Sequence, residues 1–235
     1  MEGVDAKPGI ADEFVVEPDL DTRNLVDEFK GKSNERVKAE LAQKRTELEV
    51  AIENVEHDFN VGTIVRSANN FNVGAVHIIG RKKYNRRGAM CTDKYLEIKH
   101  WADVESFVAD QRSRGREIVA IENNTERAKP IYDKKFNEKT TLVFGSEGNG
   151  ISTKLTELAD DVRFIESFGS TRSLNVGVAA GVAMYEWVRQ VILSFKNERN
   201  KKWQEEGVKV GGDSETNSDA DESPEFNAII RGNAA

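Results

Sequence analysis

Three short segments of this 235-residue chain combine glycines with polar side chains of the kinds that bind ligands or assist catalysis. The first, NVEHDFNVGTIVRSANNF, carries Asn60 and Arg66, and the second, LVFGSEGNGIS, carries Glu147 among three glycines. The third, FIESFGSTRSLNV, carries Ser173 and Asn175. Each includes the end of a predicted strand, and in open α/β sheets ligands bind at the carboxyl ends of strands. These segments therefore hold the candidate functional residues.

Each segment also has a plainer interpretation. Arg66 lies off the apolar stripe of its predicted helix, so its guanidinium could hold a ligand or phosphate, or could simply be solvated. The second segment has the order G-x-x-G-x-G, which is not the dinucleotide-binding order and lacks the Lys-Ser/Thr of a phosphate-binding loop, so a tight turn would also explain it. Ser173 or Asn175 could serve only to cap the helix that follows.

Several other chemistries are excluded by the residue inventory. The three histidines lack ligand spacing and the single cysteine cannot complete a zinc site, so we expect no metal centre. There is no G-x-S-x-G nucleophile motif. A lone cysteine permits no intramolecular disulfide, which favours a reducing, cytoplasmic location. The apolar run that starts at Val176 is about half the ~20 residues of a membrane-spanning helix, so we expect no membrane partner.

The formal net charge of −7 argues against a nucleic-acid partner, but its distribution reverses that argument. Residues 1–32 carry a net −5 and residues 205–235 a net −6, which leaves +4 for residues 33–204. We therefore predict an acidic N-terminal extension (1–32), a central domain (33–204) and an acidic tail (205–235), with both ends weakly ordered. The tails could compete with RNA for the basic surface of the domain.

A basic loop in the domain interleaves cations with an aromatic side chain, a pattern that favours phosphate contact. The candidate RNA-binding residues in it are Arg81, Lys82, Lys83, Tyr84, Arg86 and Arg87. Three further bases, Arg112, Arg114 and Arg116, follow a later predicted helix and suggest the same role.

Strands alternate with helices along the domain, which predicts an α/β fold with a mainly parallel sheet flanked by helices. The predicted strands are 48–55, 75–80, 116–122, 140–145 and 161–167. Helices are predicted at 34–47, 102–114 and 153–159, and a long final helix is predicted from about Asn175. Another helix is indicated by an apolar stripe from Val61 to Phe71, with Asn60 as its N-cap and Gly74 as its stop. In the final helix we expect one buried face, formed by Val178, Val182, Tyr185, Val188, Ile192 and Phe195.

Taken together and in this order, the three segments resemble the SpoU/TrmH branch of the SPOUT RNA methyltransferases. The resemblance runs from about Leu48 to Gln190 and rests on N-x-G-x-x-x-R, on V-F-G-S-E-G-x-G-I, and on R-S-L-N-V before a helix of small residues. It implies a C-terminal deep trefoil knot, a homodimer with its active site at the subunit interface, and transfer of a methyl group from S-adenosyl-L-methionine to a ribose 2′-hydroxyl.

By the same resemblance, the catalytic residues are Asn60, Arg66, Glu147, Ser173 and Asn175, and the cofactor lies against Ile121, Gly145, Ile165 and Leu174. Two positions depart from the family pattern, because Asn72 and Glu166 stand where the family usually has glycine and proline. Arg66 is the family's usual candidate for activating the 2′-hydroxyl, either as an electrostatic clamp on the emerging alkoxide or as a general base.

Three readings of the function stay open at this point. The first is a tRNA ribose 2′-O-methyltransferase, and a ribosomal RNA target is a close second. A catalytically silent RNA-binding module on the same scaffold is a third, and a generic nucleotide-binding protein is more remote.

Overall fold

The computed structural model describes residues 17–53, 58–80 and 86–195, with only the backbone at 19, 58, 59, 86 and 87. Seven strands form one sheet in the order β3-β2-β1-β6-β4-β7-β5, and every pairing is parallel. The strands are β1 (Glu49–Glu53), β2 (Val76–Ile79), β3 (Ile98–Trp101), β4 (Glu117–Ile121), β5 (Lys129–Pro130), β6 (Thr140–Phe144) and β7 (Asp161–Phe164). The predicted α/β class and parallel sheet are confirmed.

Helices cover both faces of the sheet. They are α1 (Asn34–Ala42), α2 (Asp58–Asn70), α3 (Val104–Ser113), α4 (Thr153–Leu158) and α5 (Val176–Val188), and α5 continues into a π-helical turn, Arg189–Leu193. One buried cluster joins the sheet to α2 and α5 through side chains such as Ile64 and Trp187. A second joins the opposite face to α3 and α4 through Phe107 and Leu155. A sheet covered on both faces accounts for the near-continuous apolar sequence of β1, β4 and β6.

The start and end of α2 differ from the prediction. The helix begins at Asp58, so Asn60 lies in its first turn and is not its N-cap. The residue beyond its end with left-handed backbone is Asn72, at φ 46°, and not Gly74. Asparagine tolerates this conformation better than most residues, and here its amide also donates to the carbonyls of Leu41 and Lys44. The departure from the family pattern at Asn72 thus keeps the backbone shape that glycine would allow.

The buried face predicted for the last helix is wrong in its first half, whereas Val188 and Ile192 pack against the core as predicted. Val178, Val182 and Tyr185 are 52%, 41% and 53% exposed. The helix instead packs through its small residues and its longer Met184 and Trp187, because small side chains let it approach α2 closely. At Gly177 an added Cβ would lie 3.0 Å from Cγ2 of Thr63 on α2.

Within the described part of the chain, Val176–Leu193 is long and apolar enough to cross a membrane by length and composition alone. This stretch is longer than the apolar run seen in the sequence because the π-helical turn extends it. A core helix of a soluble protein passes the same test. The buried face of α5 packs in one cluster with side chains of the sheet.

The weak order predicted for the N-terminal extension does not hold for residues 17–32. Phe29 packs with Val37 of α1 and with Tyr95 in a third small cluster. Asp21 is buried and accepts hydrogen bonds from the Arg23 side chain and from the Gly31 backbone. The Arg23 guanidinium is the main reason why the pKa of Asp21 lies well below its usual range. This part of the extension is therefore built into the domain.

A buried ionic network lies at the amino end of the sheet, opposite the candidate site. The Glu49 carboxylate accepts two hydrogen bonds from Arg114, at 2.7 and 2.8 Å, and one from Nε2 of His77 at 2.7 Å. Trp101 donates to Nδ1 of His77, and since an indole can only donate, the imidazole proton sits on Nε2. Arg116 donates to the Thr141 hydroxyl.

This network corrects one expectation from the sequence. Arg114 and Arg116 are held by carboxylates and by backbone inside the fold, so the phosphate-binding role suggested for them is wrong. Arg112, which is exposed, donates to the Leu158 carbonyl. Arg114 pairs with Glu49 at the start of β1, and Arg116 pairs with Glu47 just before it.

Candidate functional site

A cleft of about 580 Å³ opens at the carboxyl ends of three neighbouring strands, β4, β6 and β7. Its walls are the loops that follow these strands and the first turn of α5. The apolar lining includes Ile121, Phe144, Ile165 and Leu174, and polar backbone is supplied by the glycine-rich loop after β6. A cavity of this size with a mixed apolar and polar lining fits a small organic ligand.

Asn175 joins the three segments picked out in the sequence. Its side-chain amide donates to Oδ1 of Asn60 at 3.0 Å and to Oε1 of Glu147. Its side-chain oxygen accepts from the backbone amides of Gly177 and Val178, which makes it the N-cap of α5. The capping interpretation is therefore confirmed for Asn175, and the other end of the same amide contacts two further candidate residues.

The loop after β6 is folded tightly on itself. Ser146 and Gly150 exchange backbone hydrogen bonds, and a Cβ at Gly145 would lie 2.0 Å from the Gly150 carbonyl carbon. Gly150 has a φ of +66°, a conformation that side chains disfavour. The two glycines are required by this close approach, whereas a Cβ at Gly148 would meet no atom within 4 Å.

Two polar residues after β4 connect the other loops, and neither was predicted from the sequence as a site residue. The Glu122 carboxylate accepts from the Ile151 backbone amide at 2.9 Å, beyond the glycine-rich loop. The Asn123 amide donates to the Arg172 carbonyl at 2.7 Å, in the loop after β7. The signal that could have found them is their place directly after a predicted strand.

A buried carboxylate anchors the far end of the glycine-rich loop. Glu53, the last residue of β1, accepts from both the backbone amide and the hydroxyl of Ser152, at 2.8 and 2.6 Å. Ser152 in turn caps α4 through the Leu155 amide. The residue that precedes the first segment is thus hydrogen-bonded to Ser152, the last residue of the second.

The loop after β7 is exposed from Glu166 to Leu174 and is held at several points. Glu166, at the position where the family usually has proline, accepts a hydrogen bond from the Tyr132 hydroxyl, and that carboxylate raises the pKa of Tyr132. Ser173 lies in this loop, lines the cleft and is exposed. The side chain of Leu174, also in the lining, is 43% exposed.

Arg66 is exposed on α2, as its position off the apolar stripe predicts. It does not line the cleft, and its guanidinium has no hydrogen bond or ion pair with the described residues. The structure therefore brings Asn60, Glu147 and Asn175 into contact and places Ser173 in the cleft wall. Arg66 lies on the same helix as Asn60 and has no partner among the described residues.

The four residues expected to contact a cofactor, Ile121, Gly145, Ile165 and Leu174, all line the cleft. In the basic loop, Arg81, Lys82, Lys83 and Tyr84 lie outside the described residues, as do the side chains of Arg86 and Arg87. The backbone of Arg86–Ala89 forms a short 3-10 turn against α2, where a Cβ at Gly62 would lie 2.6 Å from Cα of Gly88.

Comparison with known proteins gives one family and several relatives. The model of the SpoU rRNA Methylase family matches residues 47–185. A tRNA (guanosine(18)-2′-O)-methyltransferase of Escherichia coli is 28% identical over 153 residues, a match that covers 64% of this chain and 66% of that protein. The chain thus spans just under two thirds of that relative.

Solved structures show the same fold. The TrmH/SpoU tRNA modifying enzyme of A. aeolicus has a TM-score of 0.62 at 27% identity, over 75% of this chain and 96% of that one. The SpoU methyltransferase AviRb of Streptomyces viridochromogenes, solved in complex with AdoMet, has a TM-score of 0.55 at 25% identity, over 62% and 58% of the two chains.

Proposed function

Because this chain belongs to the SpoU rRNA methylase family, we propose that it transfers a methyl group from S-adenosyl-L-methionine to a ribose 2′-hydroxyl of tRNA. The relative from E. coli is named for this reaction on tRNA, and the neighbour from A. aeolicus is a tRNA modifying enzyme. The observation that carries the proposal is the contact of Asn175 with both Asn60 and Glu147, which unites the three motifs at the mouth of one cleft.

The cleft fits S-adenosyl-L-methionine, which AviRb binds. Ile121, Ile165 and Leu174 would offer an apolar surface for the adenine ring, and the loop from Gly145 to Gly150, which lines the cleft, would offer backbone donors and acceptors for its polar edge. The close packing of Gly145 on Gly150 leaves no room for a side chain there, so the loop is shaped before a ligand arrives. When bound, the cofactor supplies an electrophilic methyl group.

The 2′-hydroxyl is a very weak acid, so its developing negative charge needs stabilisation. Arg66 is suited to that task because a guanidinium remains protonated and its planar fork can reach both an alkoxide and a neighbouring phosphate. Asn60, Glu147, Ser173 and Asn175 would orient the ribose and the loops around it. General base catalysis by a deprotonated Arg66 is the less favoured alternative.

We propose that the chain works as a homodimer with the active site at the interface. Val178, Val182 and Tyr185 follow the i, i+4, i+7 spacing of one face of α5, and Leu174 lies just before the helix. All four side chains of this apolar stripe are exposed. The stripe starts at the cleft, because Leu174 lines it, so a second copy covering the stripe would border the cofactor site. An Arg66 that lies outside its own cleft agrees with a site shared between subunits.

The dimer has a direct test. Val182→Glu should convert the protein to a monomer in sedimentation-velocity experiments, because it places a charge in the middle of the stripe. Leu20→Glu, at a 69% exposed apolar side chain outside the stripe, is the matched control and should remain dimeric. A Val182→Glu dimer of unchanged affinity would exclude this surface.

The trefoil knot, the basic loop and the cytoplasmic location also belong to the proposal. Supporting the knot, β4, β6 and β7 lie side by side out of sequence order, and the loop before α5 contacts the loops after β4 and β6. Residues 81–87 would bind RNA phosphates, and we expect the affinity for RNA to fall steeply with salt. The domain boundaries at residues 32 and 204 remain predictions.

Methyl transfer is tested by incubating the full chain with radiolabelled S-adenosyl-L-methionine and either unmodified tRNA or deproteinised ribosomal RNA, followed by nucleoside analysis. Label in 2′-O-methylated nucleosides of tRNA is the expected result. Label in ribosomal RNA alone would favour the second candidate substrate, and cofactor binding without transfer to either would favour a silent module.

A further inference from the structure

Phe168 is the most exposed large apolar side chain of the described residues, at 93%. Burial of a phenylalanine side chain would stabilise the fold by roughly 1.5–3 kcal/mol, and Phe168 contributes none of this. The folding of the described domain therefore does not explain a phenylalanine at this position. It lies at the tip of the loop after β7, the same loop that supplies Ser173, Leu174 and Asn175 to the cleft.

The loop that carries Phe168 is held by hydrogen bonds on both sides of this residue. On one side, Glu166 accepts from the Tyr132 hydroxyl. On the other, the Arg172 carbonyl accepts from Asn123, and the Asn175 side chain is held by four hydrogen bonds. Phe168 therefore stands between two anchors that are only six residues apart.

The Arg172 side chain lies in the same segment and has no hydrogen bond or ion pair with the described part of the chain. It lines the cleft and also a second cavity of about 280 Å³ on the other side of the loop. The second cavity shares Asn123, Phe164 and Ile165 with the cleft, and Thr125, Ala128 and Ser167 complete its lining. A guanidinium with no partner among the described residues and an exposed aromatic ring thus lie four residues apart in one loop that borders the cleft.

We propose that Phe168 and Arg172 form a stacking platform for an unpaired base of the RNA substrate, next to the nucleotide that receives the methyl group. The proposal rests on the proposed function and adds to it that the target nucleotide lies in a loop or other single-stranded stretch. Aromatic rings stack on bases of any sequence, and a guanidinium can stack on a base or bind the adjacent phosphate. The positive charge of Arg172 favours RNA as the ligand over an apolar protein surface.

Turnover and binding by four variants of the full chain test the platform. Phe168→Leu keeps an apolar side chain and removes the aromatic face, Phe168→Trp keeps a face, and Arg172→Gln removes the charge. Leu20→Ala trims an exposed apolar group away from the cleft and serves as the control. We expect Phe168→Leu and Arg172→Gln each to raise KM for tRNA about tenfold. Phe168 does not line the cleft, so Phe168→Leu should leave kcat and the affinity for S-adenosyl-L-methionine unchanged. Phe168→Trp and Leu20→Ala should resemble the wild type.

The tryptophan variant gives a readout that does not need turnover. Titration with a single-stranded ten-residue oligoadenylate should quench the fluorescence that Phe168→Trp adds over the wild type, and the same strand paired with its complement should not. Absence of quenching, or a wild-type KM in Phe168→Leu, would overturn the proposal. So would a Phe168→Leu protein that sediments as a monomer, since the ring would then belong to a subunit interface. If the wild type methylates no RNA, the proposed function fails, while quenching still reports on the platform.

Discussion

Replacing Asn175 by aspartate would separate the two roles of this side chain. Asn175→Asp keeps an oxygen that can accept from the Gly177 and Val178 amides, so the cap of α5 survives. It loses the amide that donates to Asn60 and Glu147 and sets a carboxylate against the Glu147 carboxylate. The expected phenotype is a folded protein whose three motifs are no longer held together.

The size of the effect follows from the lost contacts. A hydrogen bond to a charged group contributes about 1.5–3 kcal/mol and one to a neutral group about 0.5–1.5 kcal/mol. Because these side chains are partly or fully exposed, the lower end applies, and the total is about 2 kcal/mol. If that energy positions the site, kcat/KM should fall about 30-fold. The free energy of unfolding should change by less than about 1 kcal/mol, since a carboxylate is favourable at a helix N-terminus.

Steady-state methylation of tRNA and urea unfolding measure the two quantities. Asn175→Ser, which keeps a capping oxygen without adding charge, should lose activity to a similar extent. Asp103→Ala removes the cap of α3, far from the cleft, and should lower stability while leaving kcat/KM unchanged. An Asn175→Asp enzyme with wild-type kcat/KM would refute the claim that these contacts position the site. A variant that loses activity only because it unfolds would refute the separation of roles.

Three other substitutions test the remaining parts of the structure. Gly145→Ala should abolish S-adenosyl-L-methionine binding in calorimetry because its Cβ overlaps Gly150, whereas Gly148→Ala should bind normally. Burial would raise the pKa of Glu49, but hydrogen bonds from its histidine and arginine partners and the charge of a second arginine hold it well below the usual value. The contribution of the ionised Glu49 to the free energy of unfolding is therefore fully present above the ordinary pKa of 4.5 and is lost as the pH falls below it. Urea unfolding at pH 7 should show Glu49→Gln to be less stable by about 3–5 kcal/mol, and the difference should shrink below pH 4.5; a constant difference would contradict the assignment. Arg66→Ala and Arg66→Lys should both stop methyl transfer with cofactor affinity nearly intact, and substantial turnover in either would exclude the bidentate clamp.

The sequence predicted the strands that lie in the middle of the sheet and missed both edges. β1, β2, β4, β6 and β7 are apolar runs bounded by turn residues, and all five were expected. The edge strand β3 reads IKHW and is only partly buried, so it lacks a continuous apolar signal. The opposite edge strand, β5, has two residues, one of them a proline, and owes its place to pairing with β7.

For the candidate site, the motifs selected three residues that the structure brings into contact, but these contacts could not be predicted from spacing. Asn60, Glu147 and Asn175 are separated by many residues, and their meeting depends on strand order, which periodicity does not give. The face of α5 was misjudged for a related reason. Large apolar residues at helical spacing usually mark a buried face, but the small residues on the other side pack closer to α2.

The ties among the three loops around the cleft form a closed ring. Glu122 joins the loop after β4 to the loop after β6, Asn123 joins it to the loop after β7, and Asn175 closes the circuit by reaching Glu147. In a closed ring, no loop can swing outwards without breaking two ties, so opening becomes all-or-none. The backbone amides of these loops would then share one protection factor against hydrogen exchange, and a bound cofactor would raise it for all of them by the same factor. The three loops would therefore open and close together rather than independently.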